Sequence, residues 1–89
     1  MKPKLELTYC AKWKYTPRAI SLIGELLTKH EFQLDSVTLI PSDGGRFEVV
    51  LDGELIFSKK TLGRHAEPGE IAKLVGERLP PREIVNSEQ

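Results

Sequence analysis

Hydrophobic and polar residues alternate at the start of the chain. Leu5, Leu7 and Tyr9 fall on one side of an extended segment, with polar residues between them. This period of two is typical of a strand with one buried face, so residues 4–9 are predicted to form the first strand. A second short apolar run predicts another strand at residues 35–40.

Between these strands the pattern becomes helical. Thr16 precedes Pro17, and because proline favours the first helical position, Thr16 is predicted to be the N-cap. Apolar residues then recur at helical spacing, which predicts a helix over residues 16–31. A glycine inside a helix costs roughly 1 kcal/mol relative to alanine, so we interpret Gly24 as marking a close approach of this helix to the sheet.

A hairpin is the clearest signal in the second half of the chain. A turn cluster at residues 41–45 leads into two apolar runs, residues 46–51 and 54–59, which flank the dipeptide Asp52-Gly53. A two-residue Asp-Gly loop between apolar runs indicates a hairpin closed by a type I′ turn. These runs are therefore predicted to be antiparallel neighbours.

The remaining residues predict a loop, a second helix and a tail. Residues 61–67 are predicted to be a loop, after which Pro68 suits the first position of an amphipathic helix that ends at prolines 80–81. Residues 82–89 are polar and are predicted to be a flexible tail. We expect residues 1–81 to form a single domain.

The predicted element order is β-α-β-β-β-α, a two-layer α/β (α+β) sandwich with a mixed four-stranded sheet and two helices. The first β-α-β unit must be a right-handed crossover, which makes the first two strands parallel. The last two strands are antiparallel because of their tight turn. This is the element order of the thioredoxin core.

Composition excludes several classes of function. The chain has 13 basic and 13 acidic residues and a formal net charge of zero, so no overall field favours nucleic acid or a membrane surface. One cysteine cannot form an intrachain disulfide, and together with two histidines it matches no zinc-site spacing.

The start of the chain shows no secretory leader, and no apolar stretch is long enough to span a bilayer. We expect a cytoplasmic protein with no bound metal or cofactor.

Cys10 is the candidate for chemistry because it lies at the exit of the first strand, just before the helix. Two interpretations remain open. The thiol is either a reactive nucleophile, since cations near a helix start favour the thiolate, or a buried and inert small hydrophobe. We expect only modest activation, because the helix begins as late as Thr16 and its dipole acts mainly within the first turn.

Three segments together resemble the selenoprotein W-like, or Rdx, family of thioredoxin-fold proteins. They occur in the family's order and spacing, and the resemblance extends over about residues 4–79. The segments are residues 9–19, 42–49 and 52–60, which read YCAKWKYTPRA, SDGGRFEV and DGELIFSKK.

The resemblance implies a thioredoxin-like fold and redox activity with glutathione as a possible co-substrate. The family carries two cysteines, or a cysteine and a selenocysteine, as CxxC or CxxU; Cys10 matches the first position and Trp13 stands at the second. A dithiol cycle within one chain is therefore impossible. Cys10 could instead form a mixed disulfide with glutathione or a protein thiol, a sulfenic acid, or a disulfide with Cys10 of a second copy.

The sheet order that the resemblance implies, four-three-one-two, determines what surrounds the thiol. The loop from Ser42 to Arg46 should border Cys10, and the end of the fourth strand should bring Lys59 and Lys60 to the same edge. Lys12 is already there in sequence. The candidate substrate- or partner-binding residues are Lys12, Tyr15, Ser42, Gly44, Gly45 and Phe47.

Other residues leave a second class of function open. Trp13 is either a packing residue over the thiol or a contact surface for a partner, since tryptophan is enriched at binding hot spots. In the latter case the protein is a binding module that has kept the fold and lost catalysis. His65 is interpreted as a solvated loop residue, and His30 as a helix-end or core-edge residue.

The hairpin adds a possible interface to this alternative. We expect Phe47, Val49, Leu51 and Ile56 on one face, and Val50, Leu55 and Phe57 on the other. Two helices on one side of the sheet cannot cover both faces, so the uncovered face is predicted to be an apolar surface for self-association, as in a homodimer, or for another partner.

Overall fold

The computed structural model describes residues 2–79, which form a mixed sheet with helices packed on one face. The strands are β1 (Lys4–Cys10), β2 (Ser36–Ser42), β3 (Phe47–Leu51) and β4 (Glu54–Ser58). The helices are α1 (Thr16–His30), α2 (Lys59–Leu62) and α3 (Glu70–Arg78), with a short 3-10 helix at Glu31–Gln33. Prolines 80–81 and the predicted tail at residues 82–89 lie outside the described residues.

The sheet has the predicted order, with β1 and β3 as the inner strands. The order is β2-β1-β3-β4; β1 pairs in parallel with β2 and antiparallel with β3, and β3 pairs antiparallel with β4. Leu7 lies opposite Leu39 on one side and opposite Val49 on the other. The carboxyl end of β1 therefore lies beside the start of β3, as expected.

The predicted hairpin is confirmed, but its register is not regular. Asp52 and Gly53 both have positive φ, 52° and 87°, as a type I′ turn requires. A register shift between Val49 and Val50 places Val49 opposite Phe57 and Val50 opposite Leu55. The prediction that Phe57 lies on the face away from Val49 is wrong, because this bulge inserts one extra residue into the pairing.

One hydrophobic core lies between the sheet and helices α1 and α3. Leu5, Leu7 and Val49 are fully buried on the inner strands, and α1 and α3 contribute Leu26 and Val75. Leu5 and Leu7 are two residues apart in β1, so both lie on the face of the sheet that the helices cover. Burial of these side chains is the main source of stability in so short a domain.

Two details of α1 differ from prediction. The helix begins at Thr16, and Tyr15 is its N-cap residue without a side-chain hydrogen bond, so Thr16 is not the cap. Pro17 lies in the first turn, as predicted. A Cβ built on Gly24 would meet no atom within 4 Å. Gly24 therefore does not mark a close approach to the sheet.

The helical turn α2 begins at Lys59, the last residue of the predicted strand, and extends into the predicted loop at 61–67, so the described chain has three α-helices instead of two. The Ser58 hydroxyl accepts a hydrogen bond from the Thr61 amide at 3.3 Å, and Gly63 ends the turn with φ of 74°. Helix α3 begins at Glu70, after Gly69 in the left-handed conformation, so Pro68 is not its first residue.

The sheet face away from the helices is more polar than predicted. Val50 of β3 and Leu55 of β4 are paired neighbours on this face. The next strand, β1, contributes the polar residues Glu6 and Thr8, which separate this pair from Ile40 of β2. The continuous apolar surface expected for self-association is therefore reduced to a pair of side chains.

No described helix is both long and apolar enough to cross a membrane.

Candidate functional site

Cys10 is fully buried, but it is not one of the side chains that pack together in the hydrophobic cluster between the sheet and the helices. In β1 the position of Cys10 lies on the same face of the sheet as Glu6 and Thr8. The opposite face, which carries Leu5 and Leu7, is the one that the helices cover. The cover over Cys10 is local and comes from the turn that follows β1 and from the loop before β3. The thiol could therefore become accessible without disruption of the core.

The turn over the thiol, residues 11–14, is held by backbone hydrogen bonds. The Trp13 amide donates to Cys10 Sγ at 3.2 Å, and the Lys14 amide donates to the Ala11 carbonyl at 3.0 Å. The Tyr15 amide then returns to the Cys10 carbonyl at 3.0 Å. All four turn residues are exposed, and Lys14 adopts φ of 64°, which is unfavourable for a residue with a side chain.

The loop between β2 and β3 lies beside the thiol, as predicted. The Cys10 amide donates to the Arg46 carbonyl at 2.8 Å, and the Ala11 amide donates to the Ser42 carbonyl at 2.9 Å. The Ser42 hydroxyl also donates to the Tyr9 carbonyl at 3.2 Å. Ser42 therefore has a structural role in joining the end of β1 to the end of β2.

The Trp13 ring packs on Gly45. A Cβ at position 45 would lie 2.6 Å from Trp13 Cζ3 and 2.9 Å from Cε3, so only glycine leaves room for the ring. Gly45 also has φ of 73°, a conformation that side chains disfavour. Trp13 is nevertheless 57% exposed. The ring therefore both fixes the turn over Cys10 and presents one surface to solvent.

A cleft of about 350 Å³ opens next to this ring. It is lined by Trp13, by loop residues 43–46, and by Lys59 and Lys60 from the first turn of α2. Glycines 44–45 supply backbone without side chains at its wall. The predicted candidates Trp13, Gly44 and Gly45 are thus brought together beside Cys10.

This edge of the molecule is basic although the whole chain is neutral. Within residues 2–79, none of Lys12, Arg46, Lys59 and Lys60 forms an ion pair with an acidic side chain. Lys59 Nζ instead lies 5.8 Å from the centroid of the Tyr15 ring. Asp43 is the acidic residue that lines the cleft. With respect to the acidic side chains of residues 2–79, these positive charges are therefore available to attract an anionic group.

An aromatic cluster supports the site from the core side. Tyr15 packs edge-on against Trp13, with ring centroids 6.3 Å apart, and against His65 at 4.8 Å. Phe47 completes the cluster at 6.5 Å from Tyr15 and is almost fully buried. Phe47 therefore supports the site and does not present a surface to a partner, whereas Lys12 is exposed.

His65 is half-buried in this cluster, so its interpretation as a solvated residue is wrong. Its Nδ1 atom is buried and has no hydrogen-bond partner in the described part of the chain. Burial lowers the pKa of His65 below the ordinary histidine value of 6.5, and the charges of Arg18 and Lys59 lower this pKa further. The imidazole is therefore neutral at neutral pH.

The loop that carries His65 is anchored to α3. Arg64 donates two parallel hydrogen bonds to the Glu70 carboxylate, at 2.7 and 2.9 Å. The bond from Arg64, with a further one from the Glu67 amide, lowers the pKa of Glu70 to about 2. Nothing in the sequence indicated that His65 packs on Tyr15, because that contact depends on this tertiary anchor.

His30 matches the predicted helix-end position, since it is the last residue of α1. Its Nδ1 lies 3.1 Å from the Gln33 side-chain oxygen, and its ring lies 3.4 Å from a Cβ built on Gly76. Over residues 2–79, no group of three or more histidine, cysteine or acidic side chains could hold a metal ion.

The fold and the position of Cys10 at the end of β1 define a thioredoxin-like protein. A profile of the Rdx family matches residues 4–77. The chain belongs to this family, whose members include selenoprotein W-like proteins, and the family is of a thioredoxin-like redox type.

Two crystal structures are similar to the chain over most of its length. A selenoprotein W-related protein from Vibrio cholerae shares 30% sequence identity, with a TM-score of 0.81 over 86% of this chain and 96% of that one. A protein from Bordetella parapertussis shares 25% identity, with a TM-score of 0.83 over 89% of this chain and 100% of that one. None of the curated proteins compared with the chain is significantly similar to it.

Proposed function

We propose that this protein is a single-thiol redox protein in which Cys10 forms mixed disulfides with glutathione or with protein thiols. The observation that carries the proposal is that Cys10 is fully buried but is not one of the side chains that pack together in the cluster between the sheet and the helices. In this proposal a local opening of the turn at residues 11–14, whose Trp13 amide is bonded to the sulfur, exposes Cys10 while the sheet and helices stay folded.

The exchange step is balanced without a further oxidant. The Cys10 thiolate attacks one sulfur of a disulfide, the new sulfur–sulfur bond forms, and the other sulfur leaves as a thiolate that takes a proton from water. Lys12 in the turn and Lys60 at the cleft are exposed cations that attract an anionic disulfide such as oxidised glutathione to this edge. A second thiol from solution then releases the partner and restores the Cys10 thiol.

The residue at position 13 determines how this cycle ends. Trp13 cannot resolve a mixed disulfide within the chain, whereas a cysteine there could. The mixed disulfide therefore persists until an external thiol attacks it, and a reducing compartment such as the cytosol supplies such a thiol.

The direct test is the reaction of the native protein with oxidised glutathione, followed by intact mass spectrometry. We expect a gain of one glutathionyl group on the wild type and none on Cys10→Ala, with the far-UV spectrum unchanged during the reaction. Modification only in denaturant would show that Cys10 is an inert packing residue.

A second candidate function is a non-catalytic interaction module, and the observation that favours it is the contrast between Cys10 and Trp13. The sulfur is covered, while Trp13 is 57% exposed at the mouth of a basic cleft. In such a module Trp13 and the cleft contact a partner, and Cys10 only supports the turn through its bond with the Trp13 amide. Under this function Cys10→Ser, which keeps an acceptor for the Trp13 amide, binds the partner as the wild type does, and Trp13→Ala does not.

A further inference from the structure

Within the described part of the chain, one acidic residue, Asp43, lines the cleft at the basic edge. Arg46, Lys59 and Lys60 line the cleft, and none of them forms an ion pair with an acidic side chain among residues 2–79. The whole chain is neutral, so the positive charge is a local property of this edge. Unpaired cations at the rim of a cleft attract carboxylates and fix their position.

The shape of the cleft suits an extended peptide. Its volume of about 350 Å³ lies at the lower end of the roughly 300–1,000 Å³ found for ligand clefts. A Cβ on Gly44 would meet no atom within 4 Å, and Gly44 is exposed, so the wall at Gly44 leaves room for a second backbone. Trp13 adds an exposed apolar surface at the mouth.

We propose that this cleft docks a short acidic segment of a partner protein. Carboxylates of the segment pair with Arg46 and Lys60, its backbone passes along Gly44, and an apolar side chain rests on the exposed surface of Trp13. The proposal rests on the proposed function for one consequence only: docking brings a cysteine within the acidic segment next to Cys10. Partner cysteines flanked by aspartate or glutamate are then the preferred protein substrates.

The observations favour a peptide over a nucleic acid. Nucleic-acid grooves carry a continuous basic track and several aromatic side chains on which successive bases stack. Here Trp13 is the aromatic residue that lines the cleft, and Asp43 interrupts the positive charge. A chain of zero net charge also lacks the long-range field that draws such proteins to nucleic acid.

Trp13 is the single tryptophan of the chain, so intrinsic fluorescence reports on the cleft directly. The probe is an acetylated and amidated octapeptide of alternating glutamate and glycine, titrated into Cys10→Ala and into the reduced wild type. The matched control peptide carries glutamine in place of glutamate. We expect a saturable change in Trp13 emission with the glutamate peptide alone, and its loss in about 0.5 M salt because exposed charges are then screened.

Two charge reversals locate the binding site. Lys60→Glu is expected to weaken binding roughly tenfold, since it replaces an attractive exposed pair by a repulsive one. Lys73→Glu makes the same change of charge on the exposed surface of α3, outside the cleft, and is expected to leave binding unchanged. Equal weakening by both variants would show a general charge effect and overturn the proposal.

The other outcomes also decide the matter. No response to the glutamate peptide, or an equal response to the glutamine peptide, would overturn the proposal. Tighter binding of an oligothymidylate would assign the cleft to nucleic acid, and tighter binding of S-methylglutathione would assign it to a small thiol ligand.

The two proposals can fail separately. Peptide binding by Cys10→Ala involves no thiol chemistry, so its absence leaves the glutathione reaction of the wild type untouched. Conversely, peptide binding together with an unreactive Cys10 would retain the docking site and remove the redox function.

Discussion

The Trp13 ring lies on Gly45, so closely that a Cβ at position 45 would come within 2.6 Å of the ring. This contact joins the turn over Cys10 to the loop before β3. The Trp13 amide donates to the Cys10 sulfur, so the same residue that stands at the second position of the family's redox motif also covers the thiol. We therefore expect the accessibility of Cys10 to depend on how firmly Trp13 is held.

Replacing Gly45 by alanine should displace the ring and expose the thiol. Both Gly45→Ala and Gly44→Ala impose a side chain on a positive φ, of 73° and 74°, at a cost of about 1–2 kcal/mol in stability. Only the change at Gly45 also clashes with Trp13, because nothing lies within 4 Å of a Cβ on Gly44.

We therefore expect faster alkylation of Cys10 by iodoacetamide in Gly45→Ala than in Gly44→Ala, at matched loss of stability, together with a red shift of the tryptophan emission. Equal alkylation rates in the two variants would mean that the ring does not control access to the sulfur.

A second sulfur at position 13 should restore a dithiol site. The backbone nitrogen of residue 13 lies 3.2 Å from Cys10 Sγ, so the side chain of Trp13→Cys begins next to the thiol. Under mild oxidation we expect an intrachain disulfide, seen as the loss of two hydrogens in the intact mass and as protection from alkylation. Lys14→Cys is the control, since its amide bonds to the Ala11 carbonyl and not to the sulfur. Dimers alone in Trp13→Cys would contradict the geometry of the turn.

His65 should make stability depend on pH. Burial and the charges of Arg18 and Lys59 hold the pKa of His65 below 6.5 in the folded protein, so the unfolded chain binds a proton first as pH falls. The stability contributed by neutral His65 is complete above about pH 6.5 and is lost progressively below it. We expect a lower urea midpoint at about pH 5.5 than at pH 7.5, and a smaller difference in His65→Phe. The same pH dependence in that variant would assign it to another group.

The Arg64–Glu70 pair should anchor the loop that carries His65. Glu70→Gln removes the charge that accepts both bonds from Arg64, and we expect a lower urea midpoint at neutral pH. Glu77→Gln is the control because Glu77 is an exposed residue of the same helix. Since the pKa of Glu70 is about 2 in the folded protein against 4.5 ordinarily, the difference from wild type should shrink as pH falls from about 4.5 toward 2. A constant difference over that range would contradict this role.

Sequence patterns predicted the sheet because they depend on local alternation and turn chemistry. The alternation at Leu5 and Leu7 located β1, and Asp52-Gly53 located the hairpin, whose two positive φ angles follow from those residue types. The order of the strands came from the family resemblance. The bulge at Val49 was not visible, because an extra residue changes the pairing without changing the pattern of either strand.

Short helices and tertiary contacts were harder to predict. The turn at Lys59–Leu62 is too short for hydrophobic periodicity, although Ser58 before it and Gly63 after it are typical helix-end residues. The basic edge beside Cys10 was predicted once the strand order was known. The packing of Trp13 on Gly45 and of His65 on Tyr15 required the folded chain, since each joins segments distant in sequence.

The central claim is that Cys10 is exposed by a local opening of the turn and not by unfolding. The most direct measurement is the rate of Cys10 alkylation by iodoacetamide in the native protein as urea is raised, compared with the rate allowed by global unfolding. We predict that labelling at low urea is faster than global unfolding allows and nearly independent of urea, because a small opening exposes little surface. A labelling rate that follows the global unfolding equilibrium at every urea concentration would contradict the claim and leave Cys10 as a packing residue.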